Sequence, residues 1–127
     1  MNTSEEGFLH RELSDSIVGA CMRVLNTLRP GLSEKAYENS LVIELGNRGH
    51  SLDQQKSYAV TYQGVLVDTL IPDLLVDGKV IVDTKVVDEF NKTHIAQMMG
   101  YLAITGLRLA ILANFKHADF RWKRVIR

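Results

Sequence analysis

The stretch Leu70-Ile-Pro-Asp-Leu-Leu-Val-Asp-Gly-Lys-Val-Ile-Val-Asp-Thr-Lys-Val-Val87 decides how this chain folds. Two apolar runs flank Asp77-Gly78, a dipeptide that favours a tight hairpin turn. The second run, Val80 to Val87, is apolar enough to lie in the middle of a sheet. Charged residues nevertheless stand inside both runs: Asp73 in the first, Asp83 and Lys85 in the second. Charges within strands this apolar are costly unless paired, hydrated or metal-bound.

Parity sharpens the point. A two-residue loop at Asp77-Gly78 would pair Val76 with Lys79, and the ladder would then put Asp73 and Asp83 on opposite faces. The two carboxylates share a face only if the loop has three residues, Asp77-Gly-Lys79, or if a bulge interrupts the ladder. Pro72 cannot donate to the ladder and would mark such an interruption. Asp83 and Lys85, two residues apart, project from one strand face in either case.

Outward from this stretch, the predicted order is helix, helix, three strands, helix, strand, strand. Apolar residues at Leu9, Leu13, Ile17, Cys21, Val24, Leu25 and Leu28 form one face of a first helix, stopped by Arg29-Pro-Gly31. A second helix runs from Ser33, a plausible N-cap, to about Arg48, with Glu34, Tyr37, Leu41 and Leu45 near one face. Strands are expected over Gln55–Tyr62, Val65–Val76 and Val80–Val87, a helix over Thr93–Thr105 capped by Gly106, and strands over Leu107–Phe115 and Phe120–Ile126.

The chain has 127 residues, suited to one domain over residues 1–127, with residues 1–8 polar and expected to be flexible. Its hydrophobic fraction of 46% and charged fraction of 24% are those of an ordinary globular protein. One cysteine, Cys21, excludes an internal disulfide framework, and its apolar helical setting predicts a buried thiol. No secretory signal and no apolar segment of membrane-spanning length is present, so a cytoplasmic protein without a membrane partner is expected. Glycine-rich phosphate loops, HExxH and serine nucleophile elbows are absent, and the four histidines form no zinc spacing.

The chemistry to be read is that of oxygen ligands. Asp73 and Asp83 supply carboxylates and the Thr84 backbone carbonyl a third oxygen, a set suited to Mg²⁺ or Mn²⁺. A divalent ion there polarises a phosphodiester and acidifies a bound water. Lys85 is placed to hold that water or to offset charge in the transition state. Glu34 would complete the metal shell directly or through water, although a glutamate in a first helical turn is favoured by the macrodipole whatever its function. On the third helix His94, Gln97 and Tyr101 form a polar row. Gln97 would orient a water or phosphate, while Tyr101 and His94 would contact a nucleotide. Each residue also has a plainer reading: Asp73 bonded to backbone, Asp83 and Lys85 as an ion pair, and the helix row as a rim.

Taken together, Pro72-Asp73 followed by Asp83-Thr-Lys85 resembles the PD-(D/E)xK signature of restriction-endonuclease-like nucleases. Gly31-Leu-Ser-Glu-Lys-Ala-Tyr37 resembles the naming motif of the GxxExxY family within that superfamily. Asp73-Leu-Leu-Val76 is similar to its D-x-L-V segment, Gln97-Met-Met-Gly-Tyr-Leu102 to its Q-x-x-x-Y-L segment, and Asn114-Phe115 and Lys123-Arg-Val125 to its closing strands. One departure is Asp83, where the family usually reads glutamate; the carboxylate is kept but reaches less far.

The resemblance implies an α/β (α+β) restriction-endonuclease-like fold. Its αβββαβ core would be a mixed central sheet flanked by helices, with an additional N-terminal helix and a C-terminal strand. It implies a metal-dependent phosphodiesterase acting on nucleic acid, DNA more than RNA. The rival is an inactive nucleic-acid- or protein-binding module on the same fold. Zero formal net charge favours that rival, because phosphate backbones are held by basic surface. The intact acidic pair and Lys85 favour the enzyme. The small size leaves room for a homodimer or a protein partner to supply binding surface.

Overall fold

A computed structural model describes residues 9–127, so the flexibility expected of residues 1–8 lies outside the described residues. Helix α1 (Arg11–Leu28) and helix α2 (Glu34–Asn47) come first. Strands β1 (Leu52–Gln54), β2 (Tyr58–Tyr62), β3 (Val65–Leu70), β4 (Leu74–Val76) and β5 (Val80–Lys85) follow. Helix α3 (Lys92–Thr105), β6 (Leu109–Asn114) and β7 (Arg121–Ile126) complete the chain. The central sheet has the order β1-β4-β5-β6-β7 and is mixed, with β5 and β6 parallel and the other pairs antiparallel.

The helix boundaries follow their caps. Ser33 Oγ accepts from Ala36 N, and Asn91 Oδ1 accepts from His94 N in a reciprocal capping box. Gly106 ends α3 at φ 75°, a left-handed conformation that costs glycine little. Arg29 leaves α1 at φ 68°, and Tyr37 secures the turn that follows. Its hydroxyl donates to the Arg29 carbonyl at 2.7 Å and accepts from Leu32 N at 3.1 Å, while its ring stacks on Phe115 at 4.8 Å.

Both faces of the sheet are covered, which is why β5 reads as an unbroken apolar run. Val80, Val82, Leu74, Val76 and Ile111 pack under α1 and α2 with Ile17, Cys21, Leu25, Tyr37 and Leu41. Leu75, Ile81, Ala110 and Leu112 pack under α3 with Met98, Tyr101 and Leu102. Cys21 is fully buried, and burial pushes its thiol well above the usual range, so it is an inert core residue.

Two strand expectations need correction. The run Val65–Val76 is not one strand: Ile71-Pro-Asp73 breaks it into β3 and β4, because Pro72 has no N–H to give a ladder. The run Gln55–Tyr62 is also divided. Residues 52–54 form an unforeseen strand on β4, and Gln55 turns through φ 57° before β2 begins. The β2–β3 hairpin is a separate two-stranded sheet, closed by Gln63-Gly64, with a register shift between Val60 and Thr61.

At the end of the sheet where β4 turns into β5, a polar chain ties three segments together. Ser16 Oγ lies 2.8 Å from His50 Nε2, and His50 Nδ1 lies 2.7 Å from Asp77 Oδ2. Asp77 Oδ1 accepts from Ser51 N at 2.8 Å. Ser16 sits inside α1, where the backbone N–H groups are spent on the helix and none is left to stabilise an oxyanion. The chain therefore acts as a strut that fixes the β4–β5 turn against α1.

Candidate active site

The β4–β5 register follows the parity argument. Val76 pairs with Val80 and Leu74 with Val82, which leaves Asp77-Gly-Lys79 as a three-residue loop closed by Lys79 N on the Val76 carbonyl at 3.0 Å. Asp77 and Gly78 take φ values of 52° and 66°, which asparagine-like and glycine residues tolerate best. Continued by one pair, this ladder sets Asp73 opposite Asp83. Ile81 faces the α3 core, so Asp83 and Lys85, in the same alternation, open toward α3.

Asp73 lies just before β4 and reaches across to β5. Its Oδ2 accepts from Thr84 N at 2.9 Å and from Thr84 Oγ1 at 3.0 Å. Thr84 is 1% exposed, so this carboxylate satisfies a buried donor that β4 has ended too early to reach. Backbone groups alternate sides along a strand, and the Lys85 carbonyl is spent on Phe115 N of the β6 side. The Thr84 carbonyl therefore points to the Asp73 side.

Asp83 is the buried member of the pair, 4% exposed. Burial, reinforced by the charge and close approach of Asp73, pushes its carboxyl up to about 6 against the opposing pull of Lys85. Lys85 Nζ stands 2.6 Å from Asp83 Oδ2, an ion-pair separation. That buried oxygen takes no further hydrogen bond among the described residues, so the ammonium is its close partner. Burial on its own would lower the Lys85 ammonium, but Asp83, Glu34 and Asp73 outweigh it and hold it above its usual range.

Glu34 is exposed rather than on the buried side of α2, because it begins the helix and projects past the sheet. Its Oε1 accepts from Val86 N at 3.1 Å, which brings α2 to the end of β5 beside Lys85. Tyr101 is 8% exposed under α3, and burial together with the charges of Asp83 and Asp73 raises its phenol. Gln97 Nε2 donates to Tyr101 Oη at 3.1 Å and so joins the rim of the same cleft. His94 is engaged elsewhere. Its Nδ1 accepts from Asn91 N at 3.1 Å as half of the capping box, with its ring edge-on to Phe90.

Two residues that belong to this site were not singled out in the sequence. Glu38, one turn after Glu34, is 3% exposed and accepts from Gln54 Nε2 at 2.7 Å and Gln55 Nε2 at 3.0 Å. Gln55 also grips Asp73: its backbone N donates to the Asp73 carbonyl at 2.9 Å, and its amide lies 3.4 Å from Asp73 Oδ1. The available signal was an acidic residue three positions before Leu41 and seven before Leu45, on the apolar side of α2.

Among the described residues no group of three or more His, Cys, Asp or Glu side chains is arranged to hold a metal ion. What converges is smaller: two carboxylates, one of them with a buried oxygen whose close partner is Lys85, and one backbone carbonyl. That set fits a hydrated hard cation such as Mg²⁺, which keeps several waters and needs only one or two carboxylates.

A family model described as the PD-(D/E)XK nuclease superfamily matches residues 11–125. The chain belongs to that superfamily. Two solved structures resemble this PD-(D/E)XK protein. One is an alkaline exonuclease, LHK-Exo, from Laribacter hongkongensis, with a TM-score of 0.50 and 14% identity over 84% of this chain and 76% of that one. The other is LHK-Exo in complex with dAMP, with a TM-score of 0.51 and 13% identity over 90% of this chain and 82% of that one. At such identities the likeness is one of fold, and it bears out the restriction-endonuclease-like architecture. No curated protein matches the sequence. Among the described residues no helix is long and apolar enough to cross a membrane.

Proposed function

We propose that this PD-(D/E)XK protein is a divalent-metal-dependent phosphodiesterase that hydrolyses nucleic acid, with DNA as the preferred substrate, and that it belongs to the GxxExxY group. The observation that carries the reading is the convergence of Asp73, Asp83 and Lys85 where β4 begins and β5 ends. In an ordinary sheet, evolution has no structural reason to bury Asp83 beside a second carboxylate, since each raises the cost of ionising the other.

In this reading Asp73, Asp83 and the Thr84 carbonyl would hold the ion, Mg²⁺ or Mn²⁺. The ion would supply charge to polarise the phosphodiester and to acidify a bound water. Asp73 does two things at once, since its Oδ2 also fixes Thr84. Glu38 and Gln55 hold Asp73 in place from behind. Lys85, kept protonated by its three acidic neighbours, stands ready to pair with charge that develops on the phosphoryl oxygens. Glu34, one oxygen of which accepts from Val86 N, would complete the ion's shell directly or through water. Gln97 and Tyr101 orient the substrate from α3, and His94, tied into its cap, offers only its other ring nitrogen. The fold shared with LHK-Exo, a protein solved with dAMP, is consistent with a nucleic-acid substrate.

The test is cleavage of labelled single- and double-stranded DNA and RNA with Mg²⁺ or Mn²⁺ and with chelator. Metal-dependent product formation that Lys85→Ala abolishes is the expected result. Binding without cleavage under every condition would instead establish the non-catalytic module.

A further inference from the structure

We infer that the cavity between α1 and β7 is a binding site for a free nucleoside monophosphate, separate from the Asp73–Asp83 centre. The cavity measures about 540 Å³, within the range of small-molecule sites. It lies on the other face of the sheet. Trp122, in its wall, pairs with Ala113, which packs under α1 and α2, whereas Asp83 opens toward α3. The sheet thus separates the cavity from a nucleic-acid strand held at Asp83, which argues for a free ligand.

Both walls carry the same gradient. On α1, Ser14, Val18 and Met22 recur at a spacing of four, with Asp15 and Gly19 beside them. That stripe begins polar and ends apolar. On β7, Trp122 and Arg124 are two residues apart and project from one face. Arg124 Nη2 donates to the Leu9 carbonyl at 2.7 Å, which puts the guanidinium at the polar end of the stripe, where Arg11 also lines the cavity. Trp122 serves the apolar part. A ligand that fits both walls has a flat apolar body and an anionic end.

Trp122 supplies the first specific observation. It is the last of a run of packed rings: Tyr37 lies 4.8 Å from Phe115, Phe115 5.4 Å from Phe120, and Phe120 5.6 Å from Trp122 with 9° between their planes. Phe120 covers one side of the indole, yet Trp122 remains 43% exposed. A base laid against it continues the run, and bases of every kind stack on such rings.

Ser14 supplies the second. It is 6% exposed and lines the cavity, but its Oγ has no hydrogen-bond partner among the described residues. Buried hydroxyls are ordinarily paired, and a ligand oxygen would pair this one. Arg11 and Arg124 suit a phosphate, and Asp15 accepts from a ribose hydroxyl or a base N–H. Asp15 also repels a bare anion, so phosphate without its nucleoside does not suffice.

Trp122 is the chain's single tryptophan, so its fluorescence reports this cavity directly. The experiment is titration of the full chain with AMP in the presence of chelator, followed by that fluorescence and by calorimetry. The chelator keeps cation-dependent binding at Asp73 and Asp83 out of the reading, so the outcome is independent of the proposed activity. Saturable quenching by AMP, with no saturable response to inorganic phosphate, is the expected result. Ser14→Ala is expected to weaken binding about 2–10-fold, and Trp122→Leu to abolish the calorimetric signal with helicity unchanged. Absence of saturable binding up to millimolar AMP overturns the proposal, as does binding that both variants leave intact. An equal response to inorganic phosphate reduces the cavity to an anion site and overturns it too. A single-stranded oligoadenylate that binds more tightly than AMP, and that the same variants weaken, would assign the cavity to a base of a strand and overturn the free nucleotide.

Discussion

Asp73 holds Thr84 with one carboxylate oxygen, at 2.9 Å to N and 3.0 Å to Oγ1, while the neighbouring buried Asp83 is partnered by the Lys85 ammonium at 2.6 Å. Two aspartates, one just before β4 and one on β5, therefore have opposite effects on the fold. Asp73 supports it, and Asp83 strains it.

Asp83→Asn is expected to stabilise the protein at neutral pH. The sign follows from linkage. A carboxyl raised to about 6 keeps its proton in the folded state after the unfolded chain has lost it. Its contribution to stability is full below the unfolded value and is lost as pH rises through about 6. The amide removes that loss, so a gain of roughly 1–2 kcal/mol is expected above pH 6 and little below pH 4. Urea denaturation at both pH values checks it.

Asp73→Ala is expected to do the reverse. It leaves the buried Thr84 N–H and hydroxyl without an acceptor, at a cost of about 1–3 kcal/mol. A melting temperature equal to that of wild type would show that water replaces the carboxylate.

Tyr37→Phe is expected to destabilise by about 1–2 kcal/mol, since it removes a donor to Arg29 O and an acceptor for Leu32 N. The stacked ring is kept, and the residue is remote from the carboxylates in role. Chemical denaturation should therefore change while metal binding does not.

Divalent-ion affinity is expected to fall as pH drops below about 6, because ligation needs the Asp83 carboxylate and protons compete for it. Lys85→Met removes the cation that opposes this shift, so the midpoint should move to higher pH. Titration calorimetry with Mn²⁺ across pH reads both; a midpoint unmoved in Lys85→Met would detach the lysine from the pair.

Much of this arrangement was legible in the chain itself. The caps at Ser33 and Gly106 mark their helices, and the unbroken apolar run of β5 marks a central strand. The parity of Asp73 and Asp83 requires an odd offset, which the loop Asp77-Gly-Lys79 supplies. What was not legible depends on long-range pairing. Leu52-Asp-Gln54 is too short and polar to announce a strand, and it becomes one only because β4 offers an edge. Pro72 divides an apparently continuous run, but sequence alone does not tell a break from a bulge. Glu38 and Gln55 become site residues only when α2 and the β1 end meet Asp73, a contact across the chain that no local spacing encodes.

The most direct measurement is Mn²⁺-dependent cleavage of labelled DNA by wild type and by Asp83→Asn, with folding of both verified. The account predicts cleavage by wild type, none with chelator and none by a folded, more stable Asp83→Asn. Cleavage by that variant at the wild-type rate would contradict it.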